Sequence, residues 1–209
     1  MSLPQFKRNF GGAIYLASWL KENYANISTT VRAQVSPNFV DCVTAITNKK
    51  IEFHFVPELT STSICSQSPQ FSRILIPHSF NLCHRRFALC KELCHVLTDD
   101  ASVKAKNPSE QLSLARYCSE VVRNSNPKFF AVDLNSEDFC FLLAMELMLP
   151  TSKRNQILEN MGKGETAYDI AFSLQLPESL INFYRISEYN TFYQFQLLMF
   201  RSGGIIPNK

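Results

Sequence analysis

Arg85-Arg86-Phe87-Ala88-Leu89-Cys90-Lys91-Glu92-Leu93-Cys94-His95-Val96-Leu97 is the stretch on which the reading of this chain turns. Residues four apart on a helix share a face, so positions 91 and 95 point the same way. Two imidazoles so placed can grip one zinc ion, and a Glu directly after the first can serve as general base for the metal-bound water. Glu92 and His95 stand in that register, but Lys91 stands where the first His would be. A protonated lysine carries three donors and no lone pair, so it cannot ligate zinc. The stretch reads as a metal-site helix with one ligand replaced by a cation.

A second stretch follows: Glu137-Asp138-Phe139-Cys140-Phe141-Leu142-Leu143-Ala144-Met145-Glu146-Leu147-Met148-Leu149-Pro150. Together the two resemble the paired motifs of the ImmA/IrrE-type metallopeptidases, R-x-F-T-L-A-H-E-L-G-H-x-L and E-x-x-A-N-x-F-A-A-x-L-L-M-P. Arg86, Phe87, Leu89, Glu92, Leu93, His95 and Leu97 fit the first pattern, and Glu137 falls on the metal-binding Glu of the second. Lys91, Cys94 and Phe141 depart from it. The resemblance implies a zincin-like α+β fold, mostly helical, with a small sheet, an active-site-type helix and a helical C-terminal part. It implies a catalytic position at Glu92 and metal positions at His95 and Glu137, with Lys91 at the first ligand position. It also implies a regulatory setting, in which family members cleave or engage a DNA-binding repressor in phage-type, mobile-element or stress control.

Catalytic zinc takes three protein ligands plus water, and this chain supplies only His95 and Glu137 at motif positions. The expectation is a non-catalytic or impaired member that carries no zinc or binds it weakly and acts by binding a protein partner. The groove beside the Glu92 helix, bordered by a strand over 73–76, is the expected docking place, since strand addition supplies backbone hydrogen bonds. Lys91 is expected to point toward His95 and Glu137 and replace part of the missing metal charge. The alternatives are an active zinc endopeptidase whose third ligand comes from elsewhere, such as His78 or His84, and a DNA-binding regulator.

Each of these residues also has a structural reading. Glu92 can pair with Lys91 or Arg85, His95 can be a buried histidine with a backbone partner, and Glu137 suits the first turn of any helix. Cys90 and Cys94 read as packing residues. Glu146, alone among apolar residues, needs a cationic partner. His54 sits in a strand, and no spacing selects it as a ligand.

The chain has 209 residues, 45% hydrophobic and 19% charged, the profile of a globular protein with a real core. A formal charge of +3 is too slight to imply nucleic acid, and direct nucleic-acid binding is not expected. Seven Cys without disulfide spacing suggest a reducing, cytoplasmic setting. Lys7-Arg8 before an apolar run faintly mimics a secretory signal, but Gly11-Gly12 and Lys21-Glu22 interrupt it, and no membrane span is expected.

Periodicity predicts helices over 12–24 and from Ser36-Pro37-Asn38 through Ile46. It predicts strands at 51–56 and 73–76 with a loop over 60–72 between them. Helices follow over 85–97, 109–122 and 137–149, the last capped by Asn135 or Ser136, with a turn-rich connection over 124–135. Helices over 153–161, 165–174, 177–185 and 188–200 complete the chain. The expected divisions are a zincin-like domain over 1–150, a helical extension over 151–201 and a loose tail over 202–209. Residues 165–185 have a helix-turn-helix cadence. The second helix offers a DNA reader only Glu178, Ser179, Asn182 and Arg185, so packing against the main domain is favoured.

Overall fold

A computed structural model describes residues 3–24, 37–60, 62–98, 134–149 and 153–184. Expected elements over 109–122 and 188–200, nearly all of the connection over 124–135, and the tail lie outside the described residues. Within them the chain is α+β: α1 (Phe10–Asn23), α2 (Pro37–Thr47), β1 (Lys50–Val56), β2 (Ile64–Gln67), β3 (Phe71–Pro77), α3 (Leu82–Thr98), α4 (Ser136–Met148), α5 (Arg154–Gly162), α6 (Ala167–Leu174) and α7 (Glu178–Tyr184). Among the described residues no helix is long and apolar enough to cross a membrane.

The sheet has the order β1-β3-β2, with β1 parallel and β2 antiparallel to the central β3. Alternation along β3 sets its faces: Ser72, Ile74 and Ile76 are buried, and Arg73 between them is exposed. Two expectations need correction here. The segment 60–72 is not all loop, because Ile64–Gln67 forms β2. Its period is hidden because the residues aligned with the buried side of β3 are Cys65 and Gln67, opposite Ile74 and Ser72. The strand over 73–76 does not border an open groove either. It is the central strand, and among the described residues β2 is the outer strand on the side of α3 that carries Glu92.

Against the sheet pack α3 and α2; α3 packs in turn on α4, and α4 on α1. The core runs through Phe10, Leu16, Leu20, Ile74, Ile76, Leu93 and Phe139, all buried. Asn9 caps α1 by accepting from the Gly12 amide at 2.8 Å. Helix α1 begins two residues earlier than its periodicity suggests, taking in both glycines. Gly12 is required there: a Cβ at that position would lie 1.8 Å from the Lys7 carbonyl oxygen. The stretch that mimics a signal is thus a core helix. Lys21 on its last turn donates to the Glu146 backbone carbonyl at 2.7 Å, and the charge of the buried Glu146 side chain acts on it to offset part of its burial.

In the C-terminal helices, Thr166 and Asp169 form a reciprocal capping box at the start of α6. Helix α6 ends on Gln175 in the left-handed conformation, φ 53°. Buried Arg86 of α3 donates from Nη1 to the Gln175 carbonyl at 3.1 Å and to its side-chain oxygen at 2.9 Å. This contact ties α6 to the helix that carries Glu92 and His95.

Candidate functional site

The site forms where the middle of α3 meets the first turn of α4. Helix α3 places Lys91 and His95 one turn apart on the face toward α4 and Glu92 beside them. Asn135 caps α4, accepting from the Asp138 amide at 2.7 Å, so Ser136 and Glu137 lead the helix into the site. Asn135, not Ser136, is the cap, which leaves the Ser136 hydroxyl for another contact.

Lys91 Nζ lies 2.6 Å from Glu137 Oε2 and 3.0 Å from Glu92 Oε1. His95 Nε2 approaches Glu137 Oε1 to 3.2 Å, and Ser136 Oγ lies 3.3 Å from His95 Nδ1. Ser63, just before β2, donates to Glu92 Oε1 at 2.6 Å. Gln67 of β2 donates to the His95 carbonyl at 3.3 Å. Lys91, Glu92, His95 and Glu137, the four residues singled out in the sequence, thus converge on one ammonium–carboxylate cluster. Ser63, Gln67 and Ser136 join it unforeseen. Ser136 had a signal, its place beside Glu137, but a cap explained it equally well. Ser63 sat in an expected loop and had none.

Burial differs sharply across the cluster. Glu92 is 2% exposed and His95 6%. The Lys91 side chain is 17% exposed, and that of Glu137 is 69% exposed. The neighbouring His95 ring does most to lower the Glu137 pKa; partial burial opposes it, Lys91 adds to it, and the result falls from 4.5 to about 2. Burial pushes the Lys91 ammonium down, but the hydrogen bonds and charges of Glu137 and Glu92 outweigh it and raise its pKa. The site at neutral pH is therefore a lysine cation against two acidic side chains, with Glu137 ionised.

Neither reserve histidine reaches the cluster. His84 bonds Asn81 Oδ1 through Nδ1 at 2.8 Å, three turns up α3 from His95, roughly 16 Å along the helix axis. His78 precedes α3, where its carbonyl accepts from Arg85. His54 lies on β1, the far edge of the sheet, 3.8 Å from Glu52. Cys90 and Cys94 are fully buried, and burial raises the Cys94 thiol well above its usual pKa, as befits packing residues. Phe141 packs edge-to-face on Phe87 with ring centroids 5.3 Å apart. Among the described residues no three His, Cys, Asp or Glu side chains are placed to share one ion. His95 and Glu137 close on each other, and Lys91 fills the third corner with a cation, so this donor set does not fit a catalytic zinc.

Comparison with protein-family models, with curated proteins and with solved structures found no match to this chain.

Proposed function

We propose that this chain is a non-catalytic, zincin-like protein of the ImmA/IrrE type that acts in regulation by binding a segment of a protein partner. The observation that carries the reading is Lys91. Its ammonium, bound to Glu137 at 2.6 Å and Glu92 at 3.0 Å, neutralises the carboxylates that would otherwise face a dication. A metal-activated water has no place beside an ammonium that already holds both acids. In this reading the surface beside the Glu92 helix serves binding, and the hydrolytic apparatus is lost. An extended partner segment would dock beside that helix, next to β2, which is an outer strand of the sheet among the described residues. A repressor-type regulatory protein is the partner class the motif resemblance suggests.

The test has two arms, on protein purified without a histidine tag. Metal analysis should find far less than one zinc per chain, and peptidase assays should show no chelator-sensitive cleavage. One tightly held zinc per chain, with activity lost in Glu92→Gln, overturns the non-catalytic reading. Partner capture should weaken when Ser66 on β2 is replaced by a bulky or charged residue. Capture indifferent to every change along β2 overturns the groove assignment.

A further inference from the structure

The opposite edge of the sheet carries a separate inference. In β1, Lys50 donates its amide to the Gln70 carbonyl at 3.0 Å, and the Val56 carbonyl accepts from His78 at 3.0 Å. With the register Lys50↔Phe71 through Val56↔Pro77, the even-numbered residues of β1 bond to β3. The backbone groups of Ile51, Phe53 and Phe55 therefore point away from β3, along the free edge. Among the described residues no strand pairs with that edge. Phe53, His54 and Phe55 are exposed in succession, the two rings at 42% and 43%. A seven-residue edge of this kind is a template for another strand.

We propose that β1 pairs with β1 of a second copy of this chain, antiparallel and centred on Phe53, so that the two sheets join across a two-fold axis. The strand Lys50-Ile51-Glu52-Phe53-His54-Phe55-Val56 is self-complementary in that register. Phe53 meets its own symmetry mate, Ile51 meets Phe55, and Glu52 meets His54. The pairs that bond are the odd-numbered residues, whose amides and carbonyls face the edge. The Glu52–His54 pairs fall at the non-bonded positions, where opposing side chains approach most closely. Arg73 lies opposite Glu52 on β3, so Glu52 would stand between Arg73 on one side and the partner copy's imidazole on the other. On the other face, Phe53 and Phe55 lie edge-to-face at 6.3 Å, with the Arg85 guanidinium 4.6 Å over Phe55. Pairing would cover Phe53 with its symmetry mate and Phe55 with the second copy's Ile51. The contact is isologous and closes on itself, so it makes a dimer and not a fibre. It uses neither β2 nor the Lys91 cluster.

The test is the oligomeric state of the full chain, by sedimentation equilibrium over a range of concentrations. Wild type is expected to be a dimer. Phe53→Pro removes an amide that faces the free edge and none that bonds β3, so the monomer should fold while dimer dissociation rises by roughly 100-fold or more. His54→Glu sets carboxylates opposite one another and should weaken the dimer about tenfold. The double variant Glu52→His with His54→Glu restores opposite pairing and should recover most of that loss, which a merely misfolded variant would not do. A wild type that is monomeric at every concentration overturns the proposal. So does a dimer unmoved by Phe53→Pro, or a double variant no better than His54→Glu alone.

Discussion

Lys91 shows how far a single position can be read before a structure exists. The helical period alone puts it on the face of His95, and the motif pairing puts Glu137 opposite. What the sequence could not show was the division of contacts: Glu137 is shared between Lys91 and His95, and Glu92 is shared between Lys91 and Ser63. Those depend on long-range placement of a loop residue with no local signature. Replacing Lys91 by Ala leaves nearly buried Glu92 with a serine donor and no cation. The fold should lose roughly 2 kcal/mol, read from denaturant midpoints. Lys91→His should instead create a three-donor set with His95 and Glu137 and gain a zinc-dependent rise in melting temperature, absent in wild type. Glu137 makes a pH prediction. Its folded pKa is depressed to about 2 from 4.5, so its contribution is present above the unfolded value and is lost as pH falls through the folded one. Between about pH 4.5 and 2, wild type should lose stability more steeply than Glu137→Gln. The effect will be muted by solvent, because the carboxylate is largely exposed. Lys91 acts on the alkaline side: its raised pKa adds stability present below 10.5 and lost as pH climbs past the folded value.

Among the elements, helices were legible and strand partners were not. Helix α4 announces its start with Asn135, Ser136 and acids in its first turn, because caps are local chemistry, whereas the capping box of α6 appears only in the structure. Strand β2 was invisible because its inward positions carry Cys65 and Gln67, and Gln67 spends its amide on a helix carbonyl instead of a hydrophobic contact. The order β1-β3-β2 could not be read either, since pairing across twenty residues is a tertiary choice. Helix α1 offers the test at this scale. In an ordinary helix interior Gly→Ala stabilises by about 1 kcal/mol. Gly12→Ala should do the reverse, because its methyl would meet a backbone oxygen at 1.8 Å, and backbone cannot rotate aside. We expect a loss of about 2–3 kcal/mol in equilibrium unfolding, and a stabilised variant would refute the close approach of residues 7 and 12.

At the level of the whole molecule, α+β content and helix-rich character followed from periodicity, and the C-terminal helices were expected to pack on the main domain, but the contact that joins them was not legible. It rests on Arg86 reaching across to Gln175, a residue held in the left-handed conformation at the end of α6. The motif reading spoke only for Arg86 as part of a pattern, and its partner lies 89 positions away. A buried guanidinium holding a helix end should couple the two regions in unfolding. Wild type is expected to melt in one transition. Arg86→Met should release α5–α7 first, giving a separate early loss of helical signal. A single, merely shifted transition would show that apolar packing alone holds them together.

The cluster around Lys91 has one more consequence. A site completed by a metal ion is assembled only when the cell supplies that ion, and it can be emptied by anything that binds the ion more tightly. Here the positive charge is part of the polypeptide. It arrives with synthesis, in fixed one-to-one ratio with the acids it faces. The cluster should therefore keep the same arrangement in zinc-starved and zinc-replete cells, and whatever depends on it would follow the amount of this protein, not the availability of metal.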